Sequence, residues 1–155
     1  AGSQVLMRKI EKNNLLRALR PDKTQILLTL QALKAFSEGQ DNLNDIPIYR
    51  DLLTSVETLR ERAEKLVQKI KNTNLNLTVL NTEAQVGSGA SPSEKMASVG
   101  IGFRHAKMKA ARISSCLRAN DPAIMGRITE AVFYIDLKAV REVEDDFIIQ
   151  ALNKL

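Results

Sequence analysis

The chain has 155 residues and a mass of 17.2 kDa, enough for one domain with a buried core, or for one domain with an appended helical arm. Its 44% hydrophobic and 26% charged residues match a soluble globular composition, and no apolar run nears the length a bilayer needs, so a membrane partner is not expected. The net charge of +5 and pI near 9.5 are compatible with a polyanionic partner, while an aromatic content of 4% argues against base stacking on exposed rings as the main mode of binding.

Residues 1–15 alternate charged with apolar side chains and contain no secretory signal, and the opening at Ala1 reads as the cut edge of a longer protein. Cys116, a lone cysteine, excludes an internal disulfide framework and fits a reducing cytoplasm. Together with the single histidine, His105, it makes no metal-ligand set. Cys116 is expected as a buried structural thiol and His105 as a loop residue.

In chain order, Val5, Leu6, Met7 and Ile10 alternate with Arg8, Lys9, Glu11 and Lys12 as a short amphipathic helix that Asn13 and Asn14 end. Arg17 and Arg20 follow, three apart, so on a helical turn they share a face before Pro21 breaks the run. Two guanidinium forks side by side suit a small anion with several oxygens. The same pair also reads as two arginines on a solvated helix end.

Asp22 and Gln25 have capping-box spacing, and the run Ile26 to Phe36 is apolar on most faces, so this helix requires cover from another domain or chain. Ser37 to Asn44 is a polar loop, Ile46-Pro47 an extended step, and Tyr49, Leu52 and Leu53 a short packed turn. Thr54 with Glu57 forms a second capping box, opening a helix with Val56, Leu59, Ala63, Leu66, Val67 and Ile70 inward. Its opposite face, with Arg60, Glu61, Arg62, Glu64, Lys65 and Lys69, is expected to be solvated rather than to meet a partner.

The period then becomes two. Leu75, Leu77 and Val79 predict one strand, and Val99, Ile101 and Phe103 another whose second face is bared by Gly100 and Gly102. The loop between them, Gln85 to Pro92, is rich in glycine and serine but lacks the lysine of a P-loop. Ala106 to Leu117 predicts a helix, Asn120-Asp121-Pro122 a turn, and Ile124–Ile128 with Ala131–Leu137 a hairpin. Arg127 in the first of these strands is either an edge residue or aimed at an anion. Glu144, Asp145 and Asp146 sit where a helix macrodipole favours acids, ahead of Phe147, Ile148, Ala151, Leu152 and Leu155.

The fold class that follows is α/β, with helices packed on one face of a small, mostly antiparallel sheet. Residues 1–53 form a helical segment and residues 54–155 the small α/β domain.

Three motifs resemble bacterial selenocysteine synthase, the L-seryl-tRNA(Sec) selenium transferase family, in order and spacing. They are Arg17-Ala-Leu-Arg20-Pro-Asp22-Lys23-Thr24, Gln85-Val-Gly-Ser-Gly-Ala90, and Asp121-Pro-Ala-Ile-Met-Gly-Arg127-Ile128 followed by Ile135-Asp136-Leu137. The resemblance implies the C-terminal part of a fold-type-I pyridoxal phosphate enzyme, with residues 1–53 closing its large domain. Such an enzyme converts seryl-tRNA(Sec) to selenocysteinyl-tRNA(Sec) with selenophosphate as donor. It implies a cytoplasmic homo-oligomer whose tRNA-binding elements lie largely outside this segment. The Schiff-base lysine falls upstream of Val5, and Lys23 is not its equivalent, so no catalytic residue is expected here and the fragment alone should not catalyse.

By the same resemblance Arg17 and Arg20 hold the anionic selenium donor. Arg127 touches a substrate or donor anion or makes a structural ion pair, and Gly87, Ser88 and Gly89 form a cleft loop or a plain tight turn. Departures at Ser91-Pro92, Met96-Ala97-Ser98 and Thr129-Glu130-Ala131, the last where the family tends to Asp-Gly, leave room for a paralogue acting on a small amino-sugar or amino-acid substrate. A stand-alone RNA-binding or interaction module is the remaining alternative.

Overall fold

Pro21 and Asp22 end one helix and begin the next, and this junction organises the first half of the chain. The structure, a computed structural model, describes residues 2–39, 46–85 and 95–155. It divides into two units, Ala1–Arg50 and Asp51–Leu155.

The first unit holds α1 (Gln4–Glu11), α2 (Leu15–Ala18), α3 (Lys23–Ser37) and the start of α4 (Pro47–Leu53). The capping box of α3 forms as its sequence predicts. Asp22 Oδ1 accepts from the Gln25 N–H at 2.9 Å, and Gln25 Oε1 accepts from the Asp22 N–H at 3.2 Å. Glu38 closes the helix by donating its N–H to the Lys34 carbonyl, and Gly39 follows at φ 106°, a conformation glycine adopts without a Cβ penalty. No residue of α1, α2 or α3 is buried. Phe36 meets Tyr49 edge to face with ring centroids 4.9 Å apart.

The second unit holds α5 (Val56–Lys69), β1 (Leu75–Gln85), β2 (Lys95–His105), α6 (Ala110–Arg118), β3 (Arg127–Thr129), β4 (Val132–Asp136) and α7 (Asp145–Lys154). The sheet order is β1-β2-β4-β3, and every pairing among these strands is antiparallel. Alternation sends Val99, Ile101, Phe103, Phe133 and Ile135 to one face. There they bury against Leu59, Ala63 and Leu66 of α5, Ile113 and Leu117 of α6, and Ile148, Ala151 and Leu152 of α7. Helices on one face of a small antiparallel sheet is therefore the observed architecture.

Local details differ from expectation for identifiable reasons. The cap of α5 is Ser55, not Thr54. Ser55 has the extended backbone a cap needs, with φ −71° and ψ 155°, and its Oγ accepts from the Thr58 N–H at 3.1 Å. The Thr54 carbonyl instead accepts from Lys138 Nζ at 2.8 Å. Helix α6 starts at Ala110 rather than Ala106, because His105 Nδ1 accepts from the N–H groups of Lys107 and Met108 at 3.0 and 3.2 Å and holds the chain in a bend.

β1 and β2 each run 11 residues, well past the alternation expected at 75–79 and 99–103. β3 begins at Arg127, since Ile124 is occupied in the core and donates its N–H to the Leu117 carbonyl at 2.9 Å. The bare face of β2 is partly filled from within. A Cβ at Gly102 would run into Leu80 Cδ1, and one at Gly100 would lie 2.7 Å from the Ile135 carbonyl oxygen, so the glycines let the neighbouring strands' atoms lie across β2.

Candidate functional site

Arg17 lies in the last turn of α2, which ends at Ala18, and Arg20 lies beyond the capping residue Leu19. The two arginines are therefore not on one helical face, as their spacing alone suggests. The capping box at Asp22 starts a new helix immediately after Pro21, so α2 has no room for another turn. Both side chains are exposed, and among the described residues neither guanidinium has a hydrogen-bond or ion-pair partner. The nearest carboxylate in sequence, Asp22, is engaged by the Gln25 N–H. This leaves two uncompensated forks bracketed by exposed Leu15, Leu16 and Leu19, donors without acceptors.

Arg127 belongs to the second unit and is the first residue of β3, an edge strand, opposite Tyr134 of β4. It faces the side of the sheet away from the helices. There it opens on a cleft of about 720 Å3 lined by Leu80, Thr82, Lys95, Val132 and Tyr134 among others. Its Nη1 makes one long contact, 3.4 Å, to the Glu83 carbonyl. Lys95 Nζ meets Glu83 Oε2 at 2.7 Å, and this hydrogen bond, followed by the carboxylate's charge, holds the Lys95 ammonium above its ordinary pKa.

Two polar assemblies escaped the sequence reading. Asp136 accepts from Thr82 Oγ1 at 2.6 Å, Ser98 Oγ at 2.7 Å and the Lys138 N–H at 2.9 Å, so it ties β1, β2 and β4 together. Ser98 is fully buried, and without this acceptor its hydroxyl would be stranded. The signal lay in the alternation of β4, which puts Asp136 on the face opposite Phe133 and Ile135.

The second assembly is an exception on the otherwise solvated face of α5, where Glu61, Glu64, Lys65 and Lys69 are exposed as expected. Arg62 Nε donates to both oxygens of Asp145 at 3.1 Å, Nη2 to Oδ1 at 2.5 Å, and Nη1 to the Val140 carbonyl at 2.6 Å. That fork holds the start of α7 against α5. Arg60 also donates to Asn81, an exposed residue of β1.

Gly87, Ser88 and Gly89 lie outside the described residues. Cys116 is half-buried, and His105, at the end of β2, has a buried Nε2 with no partner among the described residues. Among the described residues no group of three or more His, Cys, Asp or Glu could hold a metal, and no helix is long and apolar enough to cross a membrane.

Comparison with known proteins adds the context. The family model described as L-seryl-tRNA selenium transferase matches residues 1–141. Similar curated proteins named L-seryl-tRNA(Sec) selenium transferase include one from Carboxydothermus hydrogenoformans, 32% identical over 99% of this chain and 33% of its own length. One from Aliarcobacter butzleri is 31% identical over the same shares, and one from Aquifex aeolicus is 31% identical over 91% of this chain and 33% of its own. The chain thus spans about a third of the length of the curated relatives it matches.

Proposed function

This chain belongs to the L-seryl-tRNA selenium transferase family, and from that premise we propose that it is the C-terminal part of an enzyme that makes selenocysteinyl-tRNA(Sec) from seryl-tRNA(Sec). In this reading selenophosphate is the donor, pyridoxal phosphate the cofactor, and the working form a cytoplasmic homo-oligomer.

When bound, pyridoxal phosphate makes the serine Cα proton acidic and so lets the hydroxyl leave. Of the residues lining the cleft, the lysine, Lys95, does not suit the role of cofactor-bearing amine. Lys95, the lysine in the cleft, is tied to Glu83, which favours its protonated form, whereas an imine-forming amine must be neutral. The lysine that carries the cofactor is therefore assigned to another part of the enzyme.

The role assigned to this chain is anion binding. Arg17 and Arg20 have planar donor arrays, carry permanent charge and lack an internal acceptor among the described residues. A tetrahedral phosphate-like donor offers three oxygens to such forks, and binding one costs no broken ion pair. Arg127, on the second unit, is assigned a contact to an anionic part of the substrate. The observation that carries the proposal is the conjunction of the family match with two exposed, unpartnered guanidiniums inside its first motif.

The test uses the full-length enzyme, wild type and Arg17→Ala with Arg20→Ala, followed by pyridoxal absorbance and selenium incorporation into seryl-tRNA(Sec). The variant should keep the cofactor's absorbance while incorporation falls about 100-fold or more. Unchanged incorporation would remove the arginines from the donor site. A wild-type enzyme that holds the cofactor but ignores seryl-tRNA(Sec) would instead favour a small-substrate paralogue, the reading left open by Glu130-Ala131 at the hairpin turn.

A further inference from the structure

Between Lys95 and Asp121 the chain carries five cations, Arg104, Lys107, Lys109, Arg112 and Arg118, and no carboxylate. Arg104 belongs to β2 and reaches the Glu130 carbonyl, whereas the other four gather on α6 and the bend before it. All four are exposed, and among the described residues the ion pairs lie elsewhere. Arg118 donates to Ser114 Oγ at 3.0 Å rather than to Asp121, the nearest acid in sequence. The helix offers no relief of its own. Its first turn holds no acid and its N-cap, Lys109, makes no side-chain cap, so Lys107 and Lys109 crowd the positive end of the helix dipole.

Packing fixes which side of α6 is free. Ile113 and Leu117 are buried in the core, which turns Ala111, Ser115 and Ala119, spaced four apart, toward solvent. Ser115 Oγ donates back to the Ala111 carbonyl at 3.1 Å, so this row is small and lies close on the helix backbone. Arg112 stands on one side of the row and Arg118 on the other. The same chain carries the complement. Glu142 and Asp146, four apart at the start of α7, are exposed and have no cationic partner among the described residues, unlike Glu144 and Asp145, which hold Arg141 and Arg62. Val143 and Phe147, also four apart, stand beside them and are 75% and 45% exposed.

We propose that α6 of one copy of this chain receives the start of α7 of a second copy. Val143 and Phe147 lie on the row of Ala111, Ser115 and Ala119, while Glu142 and Asp146 meet the forks of Arg112 and Arg118. Lys107 and Lys109 add attraction at longer range. The contact joins two different surfaces of identical chains, so copies add head to tail. It is independent of the selenium chemistry, and its test reads subunit association rather than turnover.

The experiment is sedimentation velocity of the 155-residue chain, whose second unit closes its own core, over a range of protein concentration and salt. Wild type is compared with Arg112→Glu plus Arg118→Glu, with Glu142→Lys plus Asp146→Lys, and with an equimolar mixture of these two variants. Each variant alone should raise the dissociation constant about 100-fold or more, because it sets like charges against each other. The mixture should return close to the wild-type value, since it unites an intact basic face with an intact acidic one, and this recovery also shows that both variants are folded. Association of the wild type should weaken as salt rises, whereas contacts through the exposed leucines of the first unit would not.

A wild type that stays monomeric, an association indifferent to salt, or either variant associating like wild type overturns the inference. So does loss in both variants without recovery in the mixture, which would assign the basic face to a different acidic partner. None of these outcomes bears on the enzyme reading.

Discussion

Leu28 of α3 is 65% exposed and Phe133 of β4 is 0% exposed. No residue of α1, α2 or α3 is buried, whereas the second unit closes a core around Phe133 even though Met125 and Val143 stay exposed at its surface. The first unit displays Val5, Leu6, Ile10, Leu19, Leu27, Leu28 and Leu33 to the surroundings. The second collects its apolar side chains between one sheet face and three helices. Local hydrogen bonding is no poorer in the first unit, since α3 carries a complete capping box. What differs is what the helices bury. A capped helix with an apolar surface is specified as an element yet not stabilised as a fold, because most helical stability in water comes from packing an apolar face.

The largest expected effect tests this contrast directly. Phe133→Ala should destabilise the 155-residue chain by about 3–5 kcal/mol, through lost burial and the cavity left beside Phe103, 5.3 Å away between ring centroids. Leu28→Ala in the same chain should cost less than about 0.5 kcal/mol, since it empties no cavity. Denaturant unfolding of both variants checks the pair, and equal costs would break the comparison. Repeating Leu28→Ala in the full-length protein sharpens it, because a helix covered there should show a cost of about 2 kcal/mol or more.

A smaller effect comes from the β3–β4 turn. Glu130 and Ala131 sit at φ 50° and 63°, left-handed conformations that side chains with a Cβ adopt at a cost. The double change Glu130→Asn with Ala131→Gly should raise the stability of the second unit by about 1 kcal/mol, read as a shifted unfolding midpoint. The first unit should not respond.

The smallest effect is a dependence on pH. Glu144 is held below the ordinary carboxylate pKa, first by the Arg141 side-chain hydrogen bond at 2.8 Å and then by the Arg141 N–H at 3.0 Å. A depressed pKa contributes stability above the unfolded value, and that contribution is lost as pH falls through the folded one. Glu144→Gln should therefore lower the second unit's stability slightly at neutral pH and flatten the acid limb, so that variant and wild type converge as pH falls below the ordinary carboxylate range. The pair is largely exposed and salt weakens it, so the difference should shrink in high salt.

Features that depend on short-range chemistry were legible in the residues. The capping box at Asp22, the alternation of Val99, Ile101 and Phe103, and the helix face of Leu59, Ala63 and Leu66 each follow from spacing alone, and together they give the α/β class. The strand lengths were not legible, because Asn81, Thr82 and Glu83 break the apolar alternation while their backbones still pair with Val99, Ser98 and Ala97. Asp136 and Arg62 were missed because their partners are distant in sequence, at Thr82, Ser98 and Asp145. Of the candidate site, Arg17, Arg20 and Arg127 were singled out by charge and motif. Their shared helical face at 17 and 20 was an inference from spacing that the early end of α2 removed.

The long β1–β2 hairpin has a mechanical side. β2 is paired to β4 only from Gly100 to Phe103, so the stretch from Lys95 to Ser98 and its partners in β1 projects as a two-stranded cantilever. Asp136 is its fulcrum, gripping Thr82 and Ser98 where the ribbon leaves the sheet. Outboard of that point a ribbon would offer its unpaired edges to any passing strand, and Lys95 and Glu83 put opposite charges there instead. The overhang is thus anchored at its root by Asp136, touched from β3 by Arg127, and marked along its edge by a charge pair that discourages a second chain from joining it.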